Sequence, residues 1–447
     1  MFLTGTLAIN KKGHLEIGGC DLVELAGQYG TPLNIMDESL IRKSCRSYFK
    51  NMEANYSNFE IIYAGKAFLT TAMCRLVEEE GLSLDVVSGG ELYTALKAEF
   101  PPERIFFHGN NKSSEEINLA LDYGIARFIV DSLTELETLN DLAQSKNKEA
   151  EILLRIKPGV VPDTHHYIQT GQIDSKFGLG ITDGQAQEAV DKCNELENII
   201  LKGFHCHIGS QIFQAEPFVL AASIMMSFLR EIALAKNMVL EELNLGGGLG
   251  IRHISEDRPE SVDTLIKQVV DMVKNKAKEF KLPLPRLMFE PGRSIIGEAG
   301  TTLYTIGTIK DVPGIRRYVS IDGGMADNLR PALYKAKYEA VLANKASNSQ
   351  EQIVSIAGKA CESGDMLIWD AKLPPVEEGD LLAVLSTGAY TYSMANNYNR
   401  IPRPAVVFVK EGNADLVVKR ESYEDLVKND IIPKRMEKTK GDLYEIR

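Results

Sequence analysis

Several residues able to do chemistry stand immediately after short apolar runs, spread widely along the chain. They are Lys66 in YAGKAF, Asp85 in LDVV, His108 in FFHGN, His207 and Ser210 in HCHIGS, the triplet Gly246–Gly248, and Glu290, Pro291, Gly292 and Arg293 in FEPGRS. A lysine at a strand end is ordinarily a solvated charge. In a desolvated pocket the same amine can lose its proton and condense with an aldehyde. Gly246, Gly247 and Gly248 form either a tight turn or a set of bare amides able to approach a phosphate. They do not make a dinucleotide fingerprint, because Ile251 stands where its third glycine belongs. Arg293 adds a planar fork for phosphate or carboxylate, and Ser210 a hydroxyl for the same anion.

His205 and His207 lie two apart, so on a strand they share a face. A metal pair is one reading, although no third ligand has suitable local spacing. A flat imidazole stacked on an aromatic ring is another for His207, with His205 a core histidine. Glu290 is an ion-pair partner or the acid of a ring nitrogen. Beside a pyridine it would keep the nitrogen protonated and make the ring an electron sink, as loss of CO2 requires. An arginine there would suit racemisation better. Amine, ring acid, anion cradle and arginine together describe what holding pyridoxal phosphate would require.

Something must gather these residues. Eight apolar runs, 59–65, 82–88, 104–109, 126–132, 149–158, 199–209, 240–248 and 286–292, alternate with helix-period segments such as 69–80, 113–123 and 262–280. Eight βα units predict a (β/α)8 TIM-type barrel, whose loops converge on one mouth at the C-terminal ends of the strands. Beyond Gly300 the pattern becomes eight short strands with little helix, an all-β barrel or sandwich. VFVKEGNADLVV reads as a hairpin turning around 411–414, and LAINKKGHLEIGG as another. The expected organisation is a barrel at 36–300 and a discontinuous β domain made from 1–35 and 301–447.

Composition narrows the partners. A net charge of −12 opposes a nucleic-acid surface. Six cysteines, at 20, 45, 74, 193, 206 and 361, form no CxxC pair and fit a reducing compartment. The start lacks a secretory signal, and no stretch reads as apolar enough to span a membrane. A cytoplasmic protein with a small-molecule substrate is the expectation.

The ordered stretches YAGKA, LDVVSGGEL, FHGNNKS, SKFG, HCHIGSQ, LGGGLGI, EPGRS, NLRPALY, CESGD and GAYTYSMANNYN resemble the fold-III pyridoxal-phosphate decarboxylases. The likeness is strongest to the branch acting on meso-diaminopimelate and covers nearly the whole chain. Segments such as KPGVVPDTHHYIQ vary around the motifs. The resemblance implies a lyase of lysine biosynthesis in which Lys66 bonds to the cofactor, His207 stacks on its ring and Glu290 pairs with the ring nitrogen. Ser210, Gly247, Gly248 and Arg293 would surround the phosphate, Pro291 and Gly292 would also touch the cofactor, and Asp85 and His108 would lend support. Arg293, Arg330, Tyr334, Glu362 and Tyr390 would meet the substrate, Tyr390 also touching the cofactor. Cys361 would act as proton donor, and Cys361 and Glu362 would reach the partner's site in a homodimer. Outside its CESGD setting, Cys361 could be a buried inert thiol. No metal is expected. A metal-dependent hydrolase using His205, His207 and Asp85, a non-catalytic cofactor binder, and a relative acting on ornithine, arginine or a carboxylated polyamine are the competing readings. Arg330 in NLRPALY favours a substrate with a distal carboxylate over those that end in a cation.

Overall fold

A computed structural model of the chain describes residues 3–160 and 175–437. The variable KPGVVPDTHHYIQ stretch lies outside them from residue 161 onward. Eight parallel strands form the barrel: β1 (Phe59–Ala64), β2 (Ser83–Val86), β3 (Ile105–Phe107), β4 (Arg127–Val130), β5 (Ala150–Lys157), β6 (Ile199–His205), β7 (Glu242–Asn244) and β8 (Arg286–Phe289). Each pairs with the next, and β8 pairs back onto β1 to close the ring. Every strand begins within two residues of its expected start and ends earlier. The surplus residues have left the ladder to form the mouth.

Alternation along the strands sorts the barrel interior into three layers. The floor carries Glu60, Arg127, Glu242 and Arg286, joined by ion pairs. Two residues higher, Ile62, Ile129 and Met288 form with Phe106 and Leu153 a dry plug. Two residues higher again come Ala64, Arg155 and Glu290, where ligands can enter, and Asn244, in register with Met288, reaches up to Glu290.

The rim of β2, β3 and β4 is fixed by one repeated device. Ser88, Ser113 and Ser132 cap the helices Gly89–Lys97, Ser114–Tyr123 and Leu133–Ser145, each followed three residues later by a glutamate. Those glutamates reach back to the loops: Glu91 to the Val87 amide at 2.8 Å, Glu116 to the Gly89 amide at 2.6 Å, and Glu135 to Lys112 Nζ at 2.6 Å.

The second sheet is mixed. Its path runs Met366–Leu373, Gln352–Ala357, Arg316–Ile321, Gly300–Val312, Leu33–Asp37, Ala405–Lys410, Asn413–Val418. The N-terminal hairpin strands Ala8–Ile9 and Leu15–Ile17 are antiparallel, and Leu15 and Ile17 share a core with Leu303, Val407 and Val409. The hairpin after Lys410 turns more tightly than its sequence suggests, on Glu411 and Gly412 alone, both at positive φ.

The expectation that no stretch is apolar enough for a membrane needs correcting. Among the described residues one helix, Glu216–Lys236, is long and apolar enough by length and composition. Its apolar residues Phe218, Ala222, Met225, Met226 and Leu229 are buried in the protein core, which accounts for its composition.

Candidate active site

Glu290 is the centre of the barrel ceiling. It follows β8 with 4% of its surface exposed. His205 Nε2 lies 3.0 Å from Oε2, Asn244 Nδ2 donates to Oε1 at 2.7 Å, and His108 Nε2 lies 2.8 Å from Oε1. Burial alone would raise this carboxyl, but His108 and His205 outweigh it and hold the group well below the ordinary glutamate range. Burial pushes the His205 imidazole down to about 4, so it approaches Glu290 as a neutral donor. His205, which could have been a plain core histidine, and Asn244 are site residues the sequence reading missed. The only sequence signal was a polar side chain closing an otherwise apolar strand. The third ligand position absent from local spacing also comes from afar. Ligand atoms of His108, His205 and Glu290 lie within 4.8 Å of one another, an arrangement already accounted for by two imidazoles cradling one carboxylate.

Lys66 follows β1, its Nζ 3.8 Å from Asp85 Oδ2 and a third of its side chain open to the mouth. Burial works to lower its pKa, but Asp85, Tyr390 and Glu290 more than offset this and raise it. Desolvation does favour loss of the proton, as expected of a buried amine, and the carboxylates of Asp85 and Glu290 oppose it. Asp85 is fully buried, and among the described residues neither of its oxygens has a hydrogen-bond partner. Burial raises its pKa, with His108 and Lys66 pulling the other way.

The anion cradle lines the same recess as Lys66. Arg293 donates to Ser210 Oγ through Nη2 at 2.9 Å, while its Nη1 is buried without a partner among the described residues. A Cβ on Gly247 would stand 2.0 Å from the Glu290 carbonyl, and Gly248 has φ +129°. Both positions require glycine, for close approach and for backbone angle respectively. The Gly247 amide donates to His207 Nδ1 at 3.3 Å. Burial, with Lys66 and Arg155 adding to it, holds His207 well below its ordinary pKa and hence neutral. The Pro291 carbonyl accepts from the Ala64 amide at 3.1 Å, and Gly292 packs against Ala64 and Ala67, so both serve the backbone junction beneath Lys66.

The second sheet supplies the outer wall. Tyr390, at φ +58°, donates its backbone N–H to the Ala67 carbonyl at 2.8 Å. Its ring lies 4.8 Å from the Arg293 guanidinium and 5.9 Å from that of Arg330. Arg330 Nε donates to Tyr338 Oη at 2.9 Å, and its guanidinium lies 5.4 Å from the Tyr334 ring. A cavity of about 430 Å3 is lined by Lys66, His108, Arg155, His207, Ser210, Arg293, Arg330, Tyr334 and Tyr390. It shares five of these residues with a deeper recess that adds Gly247, Gly248, Glu290 and Gly292. Arg155, an unpredicted cation two residues above Leu153 on β5, lies 4.4 Å from the Phe177 ring.

Cys361 and Glu362 are not brought to this cavity. Both are exposed, so the buried-thiol alternative for Cys361 fails. The Cys361 amide donates to Asn399 Oδ1 at 2.7 Å, and Glu362 accepts from the Gly364 amide. The other five cysteines are buried and free.

A barrel with an amine, a clamped acid and an anion cradle at its mouth has the parts that define a pyridoxal-phosphate enzyme. A family model described as the pyridoxal binding domain of pyridoxal-dependent decarboxylases matches residues 40–297. The diaminopimelate decarboxylase of Bacillus subtilis is 54% identical over 96% of this chain and 98% of its own length. That of Staphylococcus aureus is 48% identical over 95% and 99%. Among solved structures, the M. jannaschii diaminopimelate decarboxylase in complex with L-lysine has a TM-score of 0.90 at 38% identity, covering 97% of this chain and 99% of that one. The chain belongs to the diaminopimelate decarboxylase family.

Proposed function

We propose that the protein removes one carboxylate of meso-2,6-diaminopimelate as CO2 and releases L-lysine, using pyridoxal 5′-phosphate. The observation that carries this reading is a single cavity lined by Lys66, the Arg293–Ser210 cradle and Arg330, continuous with the recess over Glu290. The residues fit the cofactor. The buried Nη1 of Arg293 is a donor that a phosphate would satisfy, and the clamped Glu290 is the carboxylate a pyridine nitrogen needs.

Bound pyridoxal phosphate supplies an aldehyde for an amine and a protonated ring that accepts the electron pair left when CO2 departs. Lys66 would hold it covalently, Ser210, Gly247, Gly248 and Arg293 would receive the phosphate, and His207 would pack on the ring. Glu290 is held charged by His205, His108 and Asn244, so it can keep a ring nitrogen protonated. Arg330 would bind the distal carboxylate and Glu362 the distal ammonium. Leaving either charge unpaired in a closed pocket would cost roughly 3–5 kcal/mol. After CO2 leaves, the Cys361 thiol or the Lys66 ammonium returns a proton to the α-carbon.

The exposure of Cys361 and Glu362 away from their own cavity supports a homodimer in which each chain lends these two residues to its partner. In this reading residues 36–300 carry the cofactor, 1–35 and 301–447 complete the substrate side, and the enzyme works in the cytoplasm. The test is a product assay on holoenzyme with meso-, LL- and DD-diaminopimelate and ornithine. Lysine and CO2 from the meso isomer are expected. Faster turnover of ornithine would defeat the assignment.

A further inference from the structure

We infer that Asp365 is a positioning residue that ties the loop carrying Cys361 and Glu362 to the loop carrying Arg330, so that one buried carboxylate sets substrate contacts in both active sites of a dimer. This rests on the proposed reading that Cys361 and Glu362 serve the partner's site.

Asp365 ends the CESGD motif and is 2% exposed. Its two oxygens diverge. Oδ2 accepts from the Ala360 amide at 2.9 Å, next to Cys361, and Oδ1 accepts from the Met325 amide at 2.7 Å, five residues before Arg330. The backbone joins the same two loops again, the Lys359 amide donating to the Gly323 carbonyl at 2.9 Å. Two glycines leave room for the carboxylate: a Cβ on Gly358 would stand 2.2 Å from its oxygens, and one on Gly324 2.5 Å away. From Gly324 the path to Arg330 is short. The Asn328 amide donates to the Gly324 carbonyl at 2.8 Å, and Asn328 Oδ1 accepts from the Arg330 amide at 3.3 Å. A carboxylate is the one side chain of this size that accepts on both sides. An asparagine there must turn its NH2 toward one of the two N–H donors, so one loop is released whichever way it sits.

Mixed dimers with one live site test this. Lys66→Ala silences one protomer, so all turnover comes from the other. Asp365→Asn placed on the live protomer disturbs Arg330 of the working site. Placed on the silent protomer, it disturbs Cys361 and Glu362 lent to that site. Each arrangement should lower kcat/KM by roughly ten- to a hundredfold against the mixed dimer with Asp365 intact, at unchanged cofactor content. The first should act mainly by raising KM, the second mainly by lowering kcat. Full kcat/KM in either arrangement overturns the coupling, as does a loss in the first arrangement through cofactor content with KM unchanged. If the asparagine variant does not fold, Gly358→Ala, which crowds the same carboxylate, replaces it in both arrangements. Mixing Lys66→Ala with Cys361→Ala chains separates the two ideas. No recovered activity sinks the shared-site reading and this coupling with it, whereas recovery with one silent arrangement sinks the coupling alone.

Discussion

The floor and the ceiling of the same barrel are both built from ionisable side chains, with only the plug of Ile62, Phe106, Ile129, Leu153 and Met288 between them. On the floor every acid faces an arginine. Arg127 grips Glu242 through Nε at 2.9 Å and Nη2 at 2.7 Å, and Arg286 Nη2 lies 2.7 Å from Glu60. On the ceiling, Glu290 is held by two imidazoles and an amide, while among the described residues Asp85 accepts no hydrogen bond and Arg293 Nη1 has no partner. Charges paired with charges form a chain, Arg127–Glu242–Arg286–Glu60, in which each acid has a cationic partner. A carboxylate held by imidazole and amide donors can still meet a ligand. The lesson is that burial alone does not mark a functional site; incomplete pairing does.

The largest effect should come from breaking the ceiling at its amine. Lys66→Ala is expected to reduce lysine formation to background while urea denaturation shows a folded protein. Glu290→Gln should come next, lowering kcat by roughly 10²–10³-fold, because a neutral amide cannot hold a ring nitrogen protonated. Steady-state kinetics at saturating cofactor would check it, and a kcat within threefold of the parent would contradict it. The floor should answer differently. Arg127→Met strands the buried Glu242 carboxylate and should cost about 3 kcal/mol of stability, with kcat of the folded fraction preserved. A midpoint unchanged in urea would erase the distinction between the layers.

Smaller effects sharpen the same contrast. Arg330→Ala should raise KM for diaminopimelate roughly 10- to 100-fold and leave pyridoxal phosphate content unchanged. Acid should act on the ceiling through His205. Its folded pKa of about 4 lies below its unfolded value near 6.5, so the unfolded chain binds the extra proton between them. Stability is therefore expected to fall as pH drops from about 6.5 toward 4, and His205→Gln should flatten that part of the curve.

Much of this was legible before any coordinates. The eight strand–helix alternations, the hairpins and the eight strands after Gly300 followed from periodicity and turn chemistry, which are local. What escaped was convergence. His108, His205, Asn244 and Glu290 sit on four separate βα units and meet only because the sheet closes, so no sequence spacing could pair them. Arg155 hid inside the apolar run ILLRI. The helix Glu38–Asn55 is hard to see in the sequence although Ile41, Cys45, Tyr48 and Met52 recur at helical intervals. Its many charged residues obscure the pattern. The carboxylate that faces Lys66 was hidden in the same way, because Asp85 lies on the neighbouring strand.

The most direct test is chemical. Holoprotein incubated with pyridoxal phosphate, reduced with borohydride and digested should yield one pyridoxyl-modified peptide, containing Lys66. Label on any other lysine would mean that the mouth described here is not where the coenzyme is held.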